Sequence, residues 1–278
     1  MLQFNPMNKI SLIALDVDGT LLDAQGRLSD ENLRAIQDAM RAGIRVSIAS
    51  GRPRVAIQRW VRALNLNAPD ISSGGAQIHD SQTGRDLFLS TLTLSEVKEV
   101  VEMGRETNST IYVHRPDAII GENTLEELER SRKLNDDIEI EDVQDLVAAV
   151  NFNPTKMLLL NRRRYPEMEQ RVRSALNGRL QTTPADEFCL EVTRLDVDKG
   201  ASLARLAAAL EIPLNQVMAV GDAGNDVSMF RAAGLAVAMG NGMPAALQAA
   251  DEIAPPNNES GVAWAIRRFA LNGHNSAS

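Results

Sequence analysis

A nearly continuous apolar run, residues 10–15, stops abruptly at Asp16. Short runs without alternation are the pattern of strands buried on both faces of a parallel sheet. Next, Ser29 stands where a helix can be capped, Leu33, Ile36 and Met40 recur at helical spacing, and Gly43 can take the left-handed conformation that ends a helix. A second apolar run, 44–49, closes with Ser50-Gly51-Arg52, and a helix starting near Pro53 would bury Ile57, Trp60, Val61 and Leu64. Strand, helix, strand, helix in this order predicts a right-handed parallel α/β sheet.

After Ile71 the rhythm breaks. Residues 76–89, with Thr83-Gly84 at their centre, predict a hairpin. Between 91 and 190 helical stretches at 95–107 and 124–136, and one after Pro166, alternate with short strands such as 110–113 and 156–160, the pattern of a separate α+β domain. The parallel pattern then returns with a helix over 199–210, a strand over 217–220, a helix over 225–233 and a strand over 235–239. The expected organisation is therefore a core built from residues 1–84 and 191–278, with an α+β domain, 85–190, inserted between them.

Composition narrows the functional classes. A formal charge of −8 disfavours nucleic acid and anionic membrane surfaces as partners. The run at 10–15 is far short of the ~20 residues of a membrane helix. Cys189, the single cysteine, rules out an internal disulfide or a thiolate cluster and agrees with a reducing, cytoplasmic compartment.

Candidate chemistry gathers at strand ends. Asp16-Val17-Asp18-Gly19-Thr20 follows the first buried strand, and open α/β folds bind ligands at that sheet edge. Two carboxylates so close are costly unless a cation or a shared proton relieves them, and together they can hold a hard cation while one oxygen stays free for attack. Gly221-Asp222-Ala223-Gly224-Asn225-Asp226 follows another buried strand, and its acids could complete the coordination of the same divalent ion. Ser50-Gly51 can offer a hydroxyl and amides to phosphate oxygens at a helix start. Lys199 places one cation at the start of the helix that follows the insertion.

These segments together, Ala14–Leu22, Ser50-Gly51-Arg52, Lys199-Gly200 and Gly221–Asp226, resemble the haloacid dehalogenase superfamily of phosphatases. The mid-chain insertion, Val237–Asn241 and Asn258–Val262 resemble its Cof-type members, which carry a type IIB cap. The resemblance implies a Rossmann-like parallel-sheet core with an α+β cap. It also implies that Asp16 attacks phosphorus to form an aspartyl-phosphate and that Asp18 exchanges protons with the leaving oxygen and with water. Mg²⁺ would be held by Asp16, the Asp18 carbonyl and Asp222, with Asp226 in support. Val17, Ser50, Gly51, Lys199 and Asn225 would meet the phosphoryl oxygens. The implied substrate is a small phosphorylated metabolite, sugar phosphates first. A phosphomutase would share the intermediate, and a non-catalytic metal or phosphate sensor is the reading from a different class.

Other residues read more plainly. Where such proteins carry Asn-Gly-Ala, this chain has Ser73-Gly74-Gly75-Ala76, so no substrate contact is expected there. His79, His114 and His274 show no ligand spacing and read as surface or hairpin positions. Arg162-Arg163-Arg164 with Lys156, and the acidic stretch 136–145, read as solvated, while Cys189 and Met239 read as core.

Overall fold

The computed structural model describes residues 9–115, 118–125, 140–184, 187–195 and 197–271. Along the chain run β1 (Leu12–Leu15), α1 (Asp30–Arg41), β2 (Arg45–Ile48), α2 (Arg54–Leu64), β3 (Asp70–Ser72), β4 (Gln77–Asp80) and β5 (Arg85–Leu89). There follow α3 (Leu94–Glu106), β6 (Thr110–His114), β7 (Ile119–Glu122), β8 (Ile140–Asp142), α4 (Leu146–Ala149), β9 (Lys156–Leu160), α5 (Tyr165–Leu176), β10 (Gln181–Pro184) and β11 (Cys189–Thr193). The last segment holds α6 (Lys199–Ala209), β12 (Val217–Gly221), α7 (Val227–Ala232), β13 (Leu235–Met239), α8 (Pro244–Ala249), β14 (Glu252–Ala254) and α9 (Gly261–Ala265).

The described residues divide into two compact units, one drawn from 9–51, 57–87 and 198–271, the other from 52–56 and the described residues of 88–197. In the first, a five-stranded parallel sheet runs in the order β14-β13-β12-β1-β2. Every residue of β1, β12 and β13 is buried, as their unbroken apolar runs require. The helix α1 forms where the pattern places it: the Ser29 hydroxyl accepts the Asn32 amide at 3.1 Å, Ile36 and Ala39 are buried, and Gly43 ends the segment at φ +84. The order of strands carries the functional consequence. Successive connections leave β1 in opposite directions, to β2 on one side and eventually to β12 on the other, so the crevice at the carboxyl ends of β1 and β12 is a topological switch point. With Leu15 opposite Val220, the residues that follow the two strands are neighbours although about two hundred positions separate them.

The second unit has a six-stranded sheet, β10-β11-β9-β6-β7-β8, antiparallel except for β7 with β8. Ile111, Val113, Met157, Leu159, Leu190 and Val192 form its core with Val97, Val100 and Val101 of α3 and Met168 and Val172 of α5. This unit runs to Val197, and its last strand, β11, pairs with β9 from Cys189 to Val192. The expected helix at 124–136 and the acidic stretch lie partly outside the described residues, and His274 lies wholly outside them.

Three polar residues are less exposed than their types suggest. His79 is buried in the β4–β5 hairpin, its Nδ1 2.7 Å from Asp86 Oδ1. His114 is buried opposite Lys156 across β6 and β9, and burial first, then the Lys156 charge, holds its imidazole well below the usual range. Lys156 itself is buried and sits 2.6 Å from Glu191, whereas Arg162, Arg163 and Arg164 are exposed. Met239 and Cys189 are buried. Among the described residues no helix is long and apolar enough to cross a membrane.

Candidate active site

Asp16 extends β1 by one ladder bond, its amide donating to the Val220 carbonyl at 2.9 Å, and its side chain is buried. The chain then turns through residues 17–21, with Val17 and Leu21 anchored in the core, Asp18 exposed and Gly19 in the left-handed region at φ +76. Glycine is required there twice over. A Cβ at position 19 would stand 2.3 Å from Asp222 Oδ2, and no other residue takes this φ without strain. Thr20, the next residue, donates its hydroxyl to Asp222 Oδ1 at 2.8 Å, tying the two acid-bearing loops together.

Lys199 opens α6 behind Asp198, whose side chain caps the helix by accepting the Ala201 amide at 2.7 Å. Most lysines are solvated, yet this one is 1% exposed, and its Nζ lies 2.6 Å from both Asp16 Oδ1 and Asp226 Oδ1. Asp226 is already committed: its Oδ2 accepts the amides of Asp222 and Ala223 at 2.9 Å each while Oδ1 takes the lysine. It shapes the loop and orients Lys199. Asp16 and Asp222 each keep a second oxygen that accepts no hydrogen bond from the described residues.

Asp16, Asp222 and Asp226 offer ligand atoms within 4.8 Å of one another. At that spacing, and an effective dielectric near 20, each ionised pair repels by about 3–4 kcal/mol. Lys199 neutralises one of the three charges, which leaves a buried excess suited to a divalent cation with oxygen ligands. The ionisation equilibria tell the same story. Burial raises the Asp16 carboxyl well above its usual range, against the pull of Lys199, and burial raises Asp222 to about 6 despite the Thr20 hydrogen bond. Burial works against the charge on Lys199, but the carboxylates of Asp16 and Asp226 outweigh it and lift its pKa above the ordinary value. A nucleophilic Asp16 must be ionised, so a cation that lowers its proton affinity fits these residues.

The remaining predicted residues line the same sheet edge. The Ala49 amide donates to the Leu15 carbonyl at 2.8 Å, which sets buried Ser50 beside Asp16 on the adjacent strand, and Gly51 follows at a bend. Asn225 lies in the turn after β12, its Oδ1 buried without a partner. Asp18 approaches Asp222 closely enough for its charge to act on that carboxyl, but it stands outside the carboxylate triad. The Ser73-Gly74-Gly75 turn has a supporting role: Gly74 donates to the Ser50 carbonyl at 3.0 Å, and a Cβ on Gly75 would meet the Asp198 carbonyl at 2.3 Å. Sequence reasoning missed this support and also the part played by Asn241, whose side chain donates to the Gly19 carbonyl. The Gly-Asn pair at 240–241 was the available signal, since glycine and asparagine at a strand end mark a tight loop.

The family model for haloacid dehalogenase-like hydrolases matches residues 13–266, which span both units. The chain belongs to that family. Similar proteins include a 5-amino-6-(5-phospho-D-ribitylamino)uracil phosphatase of Bacillus subtilis, 30% identical over 264 residues that cover 94% of this chain and 96% of the relative. A haloacid dehalogenase-like hydrolase from Bacteroides thetaiotaomicron superposes with a TM-score of 0.84 at 28% identity, over 94% of this chain and 99% of the other. A subclass IIB sugar phosphatase shares the fold, with a TM-score of 0.85 at 23% identity over 94% and 99% of the two chains. This haloacid dehalogenase-like hydrolase is thus a phosphatase.

Proposed function

We propose that this phosphatase hydrolyses small phosphorylated metabolites, sugar or ribityl phosphates first among them, with Mg²⁺ and through a phosphorylated Asp16. The observation that carries the reading is the buried ion pair of Lys199 with Asp16, beside the free oxygen of Asp222. A carboxylate held between a fixed ammonium and a second acid is positioned to attack phosphorus, with the ammonium ready for charge on the equatorial oxygens. Ser50, the Gly51 amide and Asn225 stand at the same edge to receive those oxygens.

An Asp16 oxygen bonds to phosphorus as the phosphorus–oxygen bond of the leaving alcohol breaks, and the Asp18 carboxyl gives its proton to that oxygen. Water then attacks phosphorus, returns a proton to Asp18 and frees the Asp16 carboxylate with inorganic phosphate. An alkoxide is a poor leaving group, so a sugar or ribityl ester needs the second acid. Asp16, the Asp18 carbonyl and Asp222 would hold Mg²⁺, which supplies charge stabilisation at the transferring phosphoryl group. The curated relatives named for 5-amino-6-(5-phospho-D-ribitylamino)uracil support an ester of this kind.

Purified protein with Mg²⁺ is expected to release inorganic phosphate from a panel of phosphomonoesters that includes ribose 5-phosphate, and EDTA is expected to stop it. Silence across the panel, or indifference to chelation, contradicts the reading. Thermal unfolding gives an independent check. The folded pKa of Asp222, about 6, lies above its ordinary 3.8, so its protonated form favours the fold. That contribution is complete below the unfolded value and is lost as pH rises through the folded one. A cation takes the ionised carboxylate, so the stabilisation by saturating Mg²⁺, about 2–3 kcal/mol at a hundredfold excess over Kd, is expected at pH 7.5 and much reduced at pH 5.

A further inference from the structure

The loop of residues 240–243, between β13 and α8, has no part in the chemistry above, yet it touches both acid-bearing loops. Asn241 Nδ2 donates to the Gly19 carbonyl at 2.8 Å, and two residues later the Met243 amide donates to the Asp222 carbonyl at 2.7 Å. Asn241 is itself held, its Oδ1 accepting the Asn257 amide at 2.8 Å. The Asn257 side chain in turn donates to the Leu22 carbonyl at 2.8 Å and accepts the Asn258 amide at 3.0 Å. Two asparagines, joined by the bond from the Asn257 amide to Asn241 Oδ1, therefore hold the carbonyl of Gly19 in the turn that carries Asp18 and that of Leu22 just beyond it.

The clamp acts where the turn is softest. Gly19 follows Asp18 directly, has no Cβ and sits at φ +76, ψ −5, so its own sterics hold it only weakly. On its far side Thr20 is fixed to Asp222. The hydrogen bond from Asn241 fixes the peptide plane between these two. We propose that Asn241 is a positioning residue, which through the Gly19 carbonyl fixes the glycine hinge that aims Asp18 at the leaving oxygen. The proposal rests on the reading of Asp18 as the acid. It concerns the step in which the Asp16–phosphorus bond forms, the phosphorus–oxygen bond to the alcohol breaks and the Asp18 proton moves to that alcohol.

A comparison of leaving groups separates positioning from general support. The parameter kcat/KM reports events up to the first irreversible step, which here is loss of the alcohol. Ribose 5-phosphate needs the proton, whereas 2,4-dinitrophenyl phosphate leaves without one. Asn241→Ala is expected to lower kcat/KM for ribose 5-phosphate about 10-fold or more while changing that for 2,4-dinitrophenyl phosphate by less than about twofold. Asn241→Asp keeps the acceptor for the Asn257 amide but loses the donor to Gly19, and the same discrimination is expected, which keeps the test open should the alanine variant fold poorly. Equal losses on both esters, or no loss on either, overturn the proposal. Asp18→Asn is the reference: if it discriminates between the esters and the Asn241 variants do not, only the positioning role fails. If Asp18→Asn does not discriminate, the acid assignment fails and the positioning role fails with it.

Discussion

Asp16→Asn is expected to abolish phosphomonoester hydrolysis, by at least about 10⁴-fold in kcat, without loss of stability. The amide is nearly isosteric but has no charge with which to attack phosphorus. Its effect on folding runs the other way. The Asp16 carboxylate is 5% exposed, and burial, with the charges of Asp226 and Asp222, outweighs the pull of Lys199 and works against its ionisation. Removing that charge relieves a repulsion the fold otherwise carries, so an unfolding midpoint at or above that of the wild type should accompany the dead enzyme. Strain of this kind at a reacting group is the usual origin of a trade between stability and activity. Phosphate release and thermal unfolding of the same preparation check both halves, and undiminished turnover would remove Asp16 from the role of nucleophile.

Lys199→Met is expected to damage folding and activity together. The methionine preserves much of the side-chain volume but leaves the carboxylates of Asp16 and Asp226 buried without the ammonium that lies 2.6 Å from each. Breaking a buried ion pair from one side costs about 3–5 kcal/mol because the surviving charges stay desolvated. Activity should fall by about 10²–10³-fold through loss of a fixed positive group at the transferring phosphoryl oxygens. The sign of the pH dependence is definite. Without Lys199 the two carboxylates bind protons more readily in the folded state, so the stability deficit against wild type is largest near neutral pH and shrinks in acid as they are neutralised. Urea unfolding of both proteins at pH 7.5 and pH 5 reads this directly, and a deficit independent of pH would show that packing, not charge, is what Lys199 contributes.

Much of the core was legible because its strands are buried on both faces. Residues 10–15, 217–220 and 235–239 have no polar alternation to confuse them, and their ends coincide with the acid-bearing loops. Lys199 was harder. Nothing local distinguishes a lysine at a helix start from a solvated one, and its burial follows from two acids that reach it across 183 and 27 positions. Asp226 was expected in support of the cation, and the sequence does not show that one of its oxygens takes two amides while the other takes Lys199. His114 and Lys156 became buried through a cross-strand register between β6 and β9 that their sequence neighbours do not set. The clamp of Asn241 on Gly19 spans 222 positions, and in the sequence Gly240-Asn241 stood only as part of the Val237–Asn241 stretch that carries the resemblance.

The central claim is that Asp16 becomes phosphorylated, and chemical trapping tests it most directly. Protein turning over ribose 5-phosphate with Mg²⁺ is quenched with sodium borohydride, which reduces an acyl phosphate to an alcohol, and then digested for mass spectrometry. The expected product is homoserine at position 16, formed only when substrate is present. Steady phosphate release with an unmodified Asp16, or with the label on Asp18 or Asp222, would contradict it.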